Sequence, residues 1–210
     1  MNVRKWTSSD EQVNDTIDSH ETTPMDKTAK ILGIHQQQWN DITSSWTTLF
    51  LEIPRRLLTA PKRRISSQLH ILTDASQAAY CTVAYLRSTT DKGADIKLLM
   101  VRIRLSPLHS AITIPRLELT ALTLGSTLMK HVTKEMNIQL DQQYLWSDSK
   151  AALHLVKTTT RLPIFIANRV KAIKLNAADA ILRHVPSSSN PADIGSRGTS
   201  IEELLENDQW

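Results

Sequence analysis

The hydrophobic pattern changes character near residue 68. Upstream, residues 1–30 are rich in Ser, Thr, Asp, Glu and Asn with little periodicity, which reads as loosely ordered chain. Residues 29–53, "AKILGIHQQQWNDITSSWTTLFLEI", are patchily apolar and could hold a short strand and a helix. "PRRLLTAPKRRISS" (54–67), with Arg55, Arg56, Lys62, Arg63 and Arg64, reads as an exposed linker that could also touch phosphates. Downstream come strand patterns. "LHILTDAS" (69–76) is a short apolar run closing on an acid, and "AAYCTVAYLRS" (78–88) is rich in β-formers. "DKGAD" (91–95) is a turn, and "IKLLMVRIRLSP" (96–107) sets Val101, Ile103 and Leu105 on one face and Arg102 and Arg104 on the other. Three strands joined by short turns imply an antiparallel meander.

The spacing then becomes helical. In "TIPRLELTALTLGSTLMKHVTKEM" (113–136), Thr113 can cap, Pro115 suits a first turn, and Leu117, Ala121, Leu124 and Leu128 form one buried stripe. "QYLWSDS" reads as a fourth strand whose Trp146 fills core, "SKAALHLVKTT" (149–159) and "LPIFIANRVKAIKLN" (162–176) as helices, and "ADAILRHVPS" (178–187) as a fifth strand. "SNPADIGSRG" (189–198) opens a helix with Asn190 as cap and Asp193 in its first turn.

Composition narrows the class. The chain has 210 residues, 40% of them apolar, a net charge of +4 and a pI near 9.3. That suits a domain with a real core and is compatible with a polyanionic partner. A single cysteine, Cys81, excludes an intrachain disulfide framework and suggests a reducing compartment. The seven histidines share no tight metal-ligand spacing, and no G-x-S-x-G motif supports a serine triad. No 18-residue apolar run or signal-peptide core occurs, so an intracellular protein without membrane contact is expected.

Four acids stand in similar settings. Asp74 ends the first strand, Glu118 lies in the early turns of the long helix, Asp148 ends the fourth strand and Asp193 begins the last helix. Singly, each has a bland reading as a turn residue, a cap or a first-turn charge. Together, as strand–Asp, helix–Glu, strand–Asp and helix–Asp, they suggest carboxylates that converge where ligands bind an open sheet. Converging carboxylates repel unless a cation joins them, and hard oxygen donors favour Mg²⁺. Two such ions would give metal-dependent cleavage of a phosphodiester. All four carboxyl groups are expected in one metal-sized cluster at one edge of the sheet.

"ILTDASQAAYCTVAYLR", "TIPRLELTAL", "YLWSDSKAALHLV", "LPIFIANRVKAI" and, most distinctively, "LRHVPSSSNPADIGSRG" resemble the ribonuclease H domain of Bel/Pao-type LTR retrotransposon polyproteins. The resemblance covers residues 66–198 and implies an α/β, ribonuclease H-like fold: a five-stranded mixed sheet, its first three strands antiparallel, with flanking helices. It implies an endonuclease that cuts the RNA strand of RNA–DNA hybrids with two Mg²⁺ ions, Mn²⁺ substituting. Asp74, Glu118, Asp148 and Asp193 would be both catalytic and metal-binding. Ser76, Ser149, Arg169 and Lys171 would contact nucleic acid. The loop "PSSSNPA" lacks the histidine many ribonucleases H carry there, and His184 reads as structural. Residues 1–65 resemble the end of a reverse transcriptase and its connection, shortened by an internal deletion. Residues 199–210 resemble the start of a linker towards an integrase region. The partners implied are the hybrid and the reverse-transcriptase and integrase regions of the parent polyprotein. The rival expectations are a catalytically inactive remnant that at most binds nucleic acid, and another nuclease or transposase on the same sheet.

Overall fold

A computed structural model describes residues 30–31, 34–35, 40–41, 43–44, 64–107, 112–136 and 139–207. The chain divides into two compact units, Met1–Pro54 and Arg55–Trp210. In the first, Lys30–Ile31 pairs antiparallel with Ile34–His35. The expectations for residues 1–29 and 45–63, the basic run as far as Arg63 included, lie outside the described residues.

The second unit is built on five strands. These are β1 (Arg64–Ala75), β2 (Ala79–Thr90), β3 (Gly93–Leu105), β4 (Gln142–Ser147) and β5 (Ile181–His184), in the order β3-β2-β1-β4-β5. β1, β2 and β3 are antiparallel neighbours, whereas β4 pairs parallel to β1 and β5 parallel to β4. The mixed sheet is the one expected from the sequence. The turn between β2 and β3 is tighter than "DKGAD" suggests, because Gly93 takes φ 125 and pairs directly with Thr90.

The helices are α1 (Ile114–Glu135), α2 (Lys150–Lys157), α3 (Ile164–Asn176), α4 (Ala192–Arg197) and α5 (Ile201–Leu205). Alternation along the strands turns Leu69, Ile71, Ala84 and Leu145 to one face. There they form a core with Leu119, Leu122, Leu128 and Met129 of α1 and Val170 and Ile173 of α3. Because α1 lies between sheet and α3, it buries far more than the one stripe expected. Leu119, Leu122, Gly125, Ser126, Met129 and Val132 join Leu117, Ala121, Leu124 and Leu128 inside. Gly125 permits the close approach of helix to sheet, since a Cβ there would meet Thr73 Cγ2 at 2.5 Å and Leu145 Cδ1 at 3.1 Å.

The opposite face corrects the expectation for Trp146. Only Leu145 of the Tyr-Leu-Trp triplet is fully buried. Tyr144 and Trp146 point the other way and are half-buried, stacked with His70 at 4.8 and 5.9 Å between ring centroids. Trp146 Nε1 donates to His70 Nδ1 at 3.2 Å. Short α4 covers another part of this face, with Ala192 packed against Cys81 and Val83 and Gly195 against Cys81. On the edge strand β3, Ile103 and Leu105 are exposed although they sit on one face as expected.

α5 was not anticipated. Its signal is a capping box: Glu203 accepts from Ser200 N and donates its own N–H to Ser200 Oγ.

Candidate active site

The register of β1 on β4 pairs Thr73 with Ser147, so the next residues along, Asp74 and Asp148, emerge from adjacent carboxyl ends. Neighbouring strands run ~4.8 Å apart, which makes these two acids neighbours. Local hydrogen bonds fasten this corner. Thr73 Oγ1 donates to the Trp146 carbonyl at 2.9 Å, and Val185 N donates to the Ser147 carbonyl at 3.1 Å. Buried Asn190 donates to the Thr73 carbonyl at 3.0 Å while its Oδ1 accepts from Ala192 N. The N-cap of α4 is Pro191, not Asn190 as expected; one residue earlier, Asn190 ties the start of the helix bearing Asp193 to the strand bearing Asp74.

Each of the four acids has a partner. Ser196 Oγ donates to Asp74 Oδ2. Ser187 Oγ donates to Asp148 Oδ2 at 2.7 Å, and Arg197 Nε to Asp193 Oδ1 at 2.7 Å. Ser149 Oγ donates to Glu118 Oε2 at 2.5 Å, which brings α1 against the residue that follows Asp148. His184 Nε2 lies 3.2 Å from the Asp148 carbonyl oxygen and steadies that turn, in keeping with a structural role.

Electrostatics couple the acids. Burial pushes the Asp74 carboxyl up to about 6, and the charges of Asp148 and Asp193 push the same way, against the Ser196 hydrogen bond and Arg197. Burial also raises Glu118, with Asp148 adding to it and the Ser149 hydrogen bond opposing it. Asp148 thus acts on both Asp74 and Glu118, and Asp193 acts on Asp74.

By donor chemistry this set fits a hard divalent cation: every candidate ligand is a carboxylate oxygen, and their mutual repulsion is what such a cation relieves. The spacing differs from the expected single cluster. Among the described residues, no three Asp, Glu, His or Cys side chains are grouped closely enough to hold a metal ion as placed. Each carboxylate is instead turned towards a serine or an arginine.

A family model, the Pao retrotransposon-like RNaseH-like domain, matches residues 17–149. The chain belongs to that family. The matched span holds Asp74, Glu118 and Asp148, while Asp193 lies beyond it. This family's match runs through much of the region read above as a reverse-transcriptase remnant. Solved structures similar to the chain include RNase H1 from Halobacterium salinarum NRC-1 (14% identity, 67% of this chain and 99% of that one, TM-score 0.42). The N-terminal RNase H domain of a Mycobacterium tuberculosis protein, solved fused to maltose-binding protein, matches at 14% identity over 67% and 98%, TM-score 0.45. LC11-RNase H1 in complex with RNA/DNA hybrid matches at 13% identity over 66% and 99%, TM-score 0.41. No curated protein matches the chain. The sheet order β3-β2-β1-β4-β5, with only β3, β2 and β1 antiparallel, is ribonuclease H-like.

The expected nucleic-acid contacts are placed unevenly. Ser76 Oγ donates to the Ser196 carbonyl at 2.6 Å and accepts from Ala78 N and Ala79 N, so it closes the β1–β2 turn. Buried Ser149 caps α2 by accepting from Ala152 N besides its bond to Glu118. Arg169 turns onto α1: its Nε donates to Thr120 Oγ1 at 2.9 Å and its guanidinium lies 3.4 Å from the Phe165 ring centroid, with Arg116 at 5.3 Å from the same ring. Lys171, two residues along α3, is exposed. Reading the sequence for acids missed Ser187, Ser196 and Arg197 as their partners. All three lie inside "PSSSNPADIGSRG", the most distinctive stretch of the resemblance, and that was the available signal.

Proposed function

We propose that this chain is a metal-dependent endonuclease that cleaves the RNA strand of RNA–DNA hybrids during retroelement reverse transcription. One observation carries the reading: Asp74 and Asp148 leave adjacent parallel strands side by side, coupled electrostatically to Glu118 and Asp193 from two helices. Asp74, Glu118, Asp148 and Asp193 would hold two Mg²⁺ ions, or Mn²⁺ in their place. Bound ions of this kind lower the pKa of water and clamp the attacking and leaving oxygens of an in-line displacement.

The residues of the chain supply the rest. Ser149 and Ser187 orient Glu118 and Asp148 by hydrogen bonds, and Asn190 fixes Asp193 relative to Asp74. Arg116 and Arg169, both beside Phe165 with Arg169 bonded to Thr120 of α1, offer positive charge for a phosphate backbone, and exposed Lys171 adds to it elsewhere on α3, a contact weakened by salt. Shape and 2′-OH contacts would select the hybrid. In the parent polyprotein the neighbours would be reverse-transcriptase and integrase regions.

The second reading, an inactive remnant that at most binds nucleic acid, draws support from the closed partnering of each carboxylate. A labelled hybrid incubated with protein and Mg²⁺ separates the two. Cutting by the wild type, lost by at least about 100-fold in Asp148→Asn, is expected for a group that stabilises charge in the transition state. A folded wild-type protein that cuts nothing favours the remnant, and equal cutting of duplex DNA would reassign the substrate.

A further inference from the structure

We propose that Arg197 is a built-in counter-cation of the acid group, competing with a divalent cation for Asp193. This rests on the proposed function, which makes Asp193 a metal ligand. Among the described residues the ion pairs are two, Lys97–Asp95 on β3 and Arg197–Asp193, so Arg197 is the cation paired with a site acid. Its Nε approaches Asp193 Oδ1 at 2.7 Å across one turn of α4. The charges of Asp193, Asp74 and Asp148 all favour the charged guanidinium, and Arg197 in turn eases the burden on Asp74.

The local backbone suits a removable group. Arg197 is the last residue of a six-residue helix, ended by Gly198 at φ 84. Its side chain is 68% exposed, so it can leave Asp193 without repacking any core. Its neighbour Ser196 is buried and donates to Asp74. Two consecutive residues thus cover two of the four acids, one with a hydroxyl and one with a full positive charge. The guanidinium sets a full positive charge 2.7 Å from one oxygen of the Asp193 carboxylate, so charge repulsion opposes a divalent cation on that same group.

The competing possibility is that Arg197 aims Asp193 for the metal, and the two differ in sign. Mg²⁺ or Mn²⁺ binding is measured without nucleic acid, by calorimetry and by the metal-induced rise in Tm, for wild type, Arg197→Ala and Arg197→Gln. Competition predicts that Arg197→Ala binds metal about threefold to fivefold more tightly, the range open to an exposed ion pair. Arg197→Gln, which keeps a donor but no charge, should move in the same direction and covers the case of a poorly folded alanine variant. Equal or weaker binding in folded variants overturns the proposal. If the wild type binds metal and cuts hybrid while the variants bind no more tightly, only this inference falls. If neither wild type nor variants bind metal, the metal-nuclease reading falls with it.

Discussion

Two stretches of β1 face different demands. Leu69 and Ile71 are fully buried beneath α1 and α3, with β4's Leu145 beside them. Three residues past Ile71, Asp74 is also buried, yet it carries a carboxyl group pushed up to about 6 by burial and by two neighbouring acids. The first stretch is satisfied by permanent contacts. The second is satisfied by a hydroxyl from Ser196 at the far end of the chain. The middle of the sheet holds the fold, whereas the buried carboxyl group at its carboxyl end opposes folding when charged.

Substitutions sharpen that contrast. The largest effect belongs to the core. Leu145→Ala should destabilise by about 2–5 kcal/mol, because it leaves a cavity between β1, β4 and α1. Chemical denaturation would check it. At the carboxyl end the sign reverses. Asp74→Asn should stabilise the protein by about 1 kcal/mol at pH 8 in the absence of divalent metal. The folded pKa of Asp74 lies above its ordinary value of 3.8, so ionisation disfavours the folded state. That penalty is complete above pH 6 and gone below about pH 4. The advantage of Asp74→Asn over wild type should therefore shrink through that window, as paired denaturation curves would record. An advantage that grew as the pH fell would contradict the burial argument.

Much of this was legible in the chain. The antiparallel meander follows from two β-rich runs and one alternating run joined by short turns, the rest of the mixed sheet was implied by the family resemblance, and the four acids stood at strand ends and helix starts. What was hidden has physical reasons. Tyr144 and Trp146 have core-like composition, but alternation sends only Leu145 towards α1; the stack with His70 depends on a cross-strand register that composition does not reveal. α1 appears amphipathic through one stripe, whereas its burial on two sides is set by α3. Ser187, Ser196 and Arg197 lie far along the chain from Asp74 and Asp148, and only folding brings the hydroxyls of Ser187 and Ser196 onto those carboxylates. The family match itself ends at residue 149, short of all three.

On the proposed function, Asp74, Glu118, Asp148 and Asp193 hold divalent cations once Asp74 or Asp193 gives up its contact with Ser196 or Arg197. A crystal of the protein soaked in Mn²⁺ tests it most directly through anomalous scattering. An anomalous peak bounded by Asp74 and Asp148 together with Glu118 or Asp193 is expected, with Ser196 or Arg197 turned away. Acids that keep their present partners at saturating Mn²⁺, with no peak between them, would contradict it.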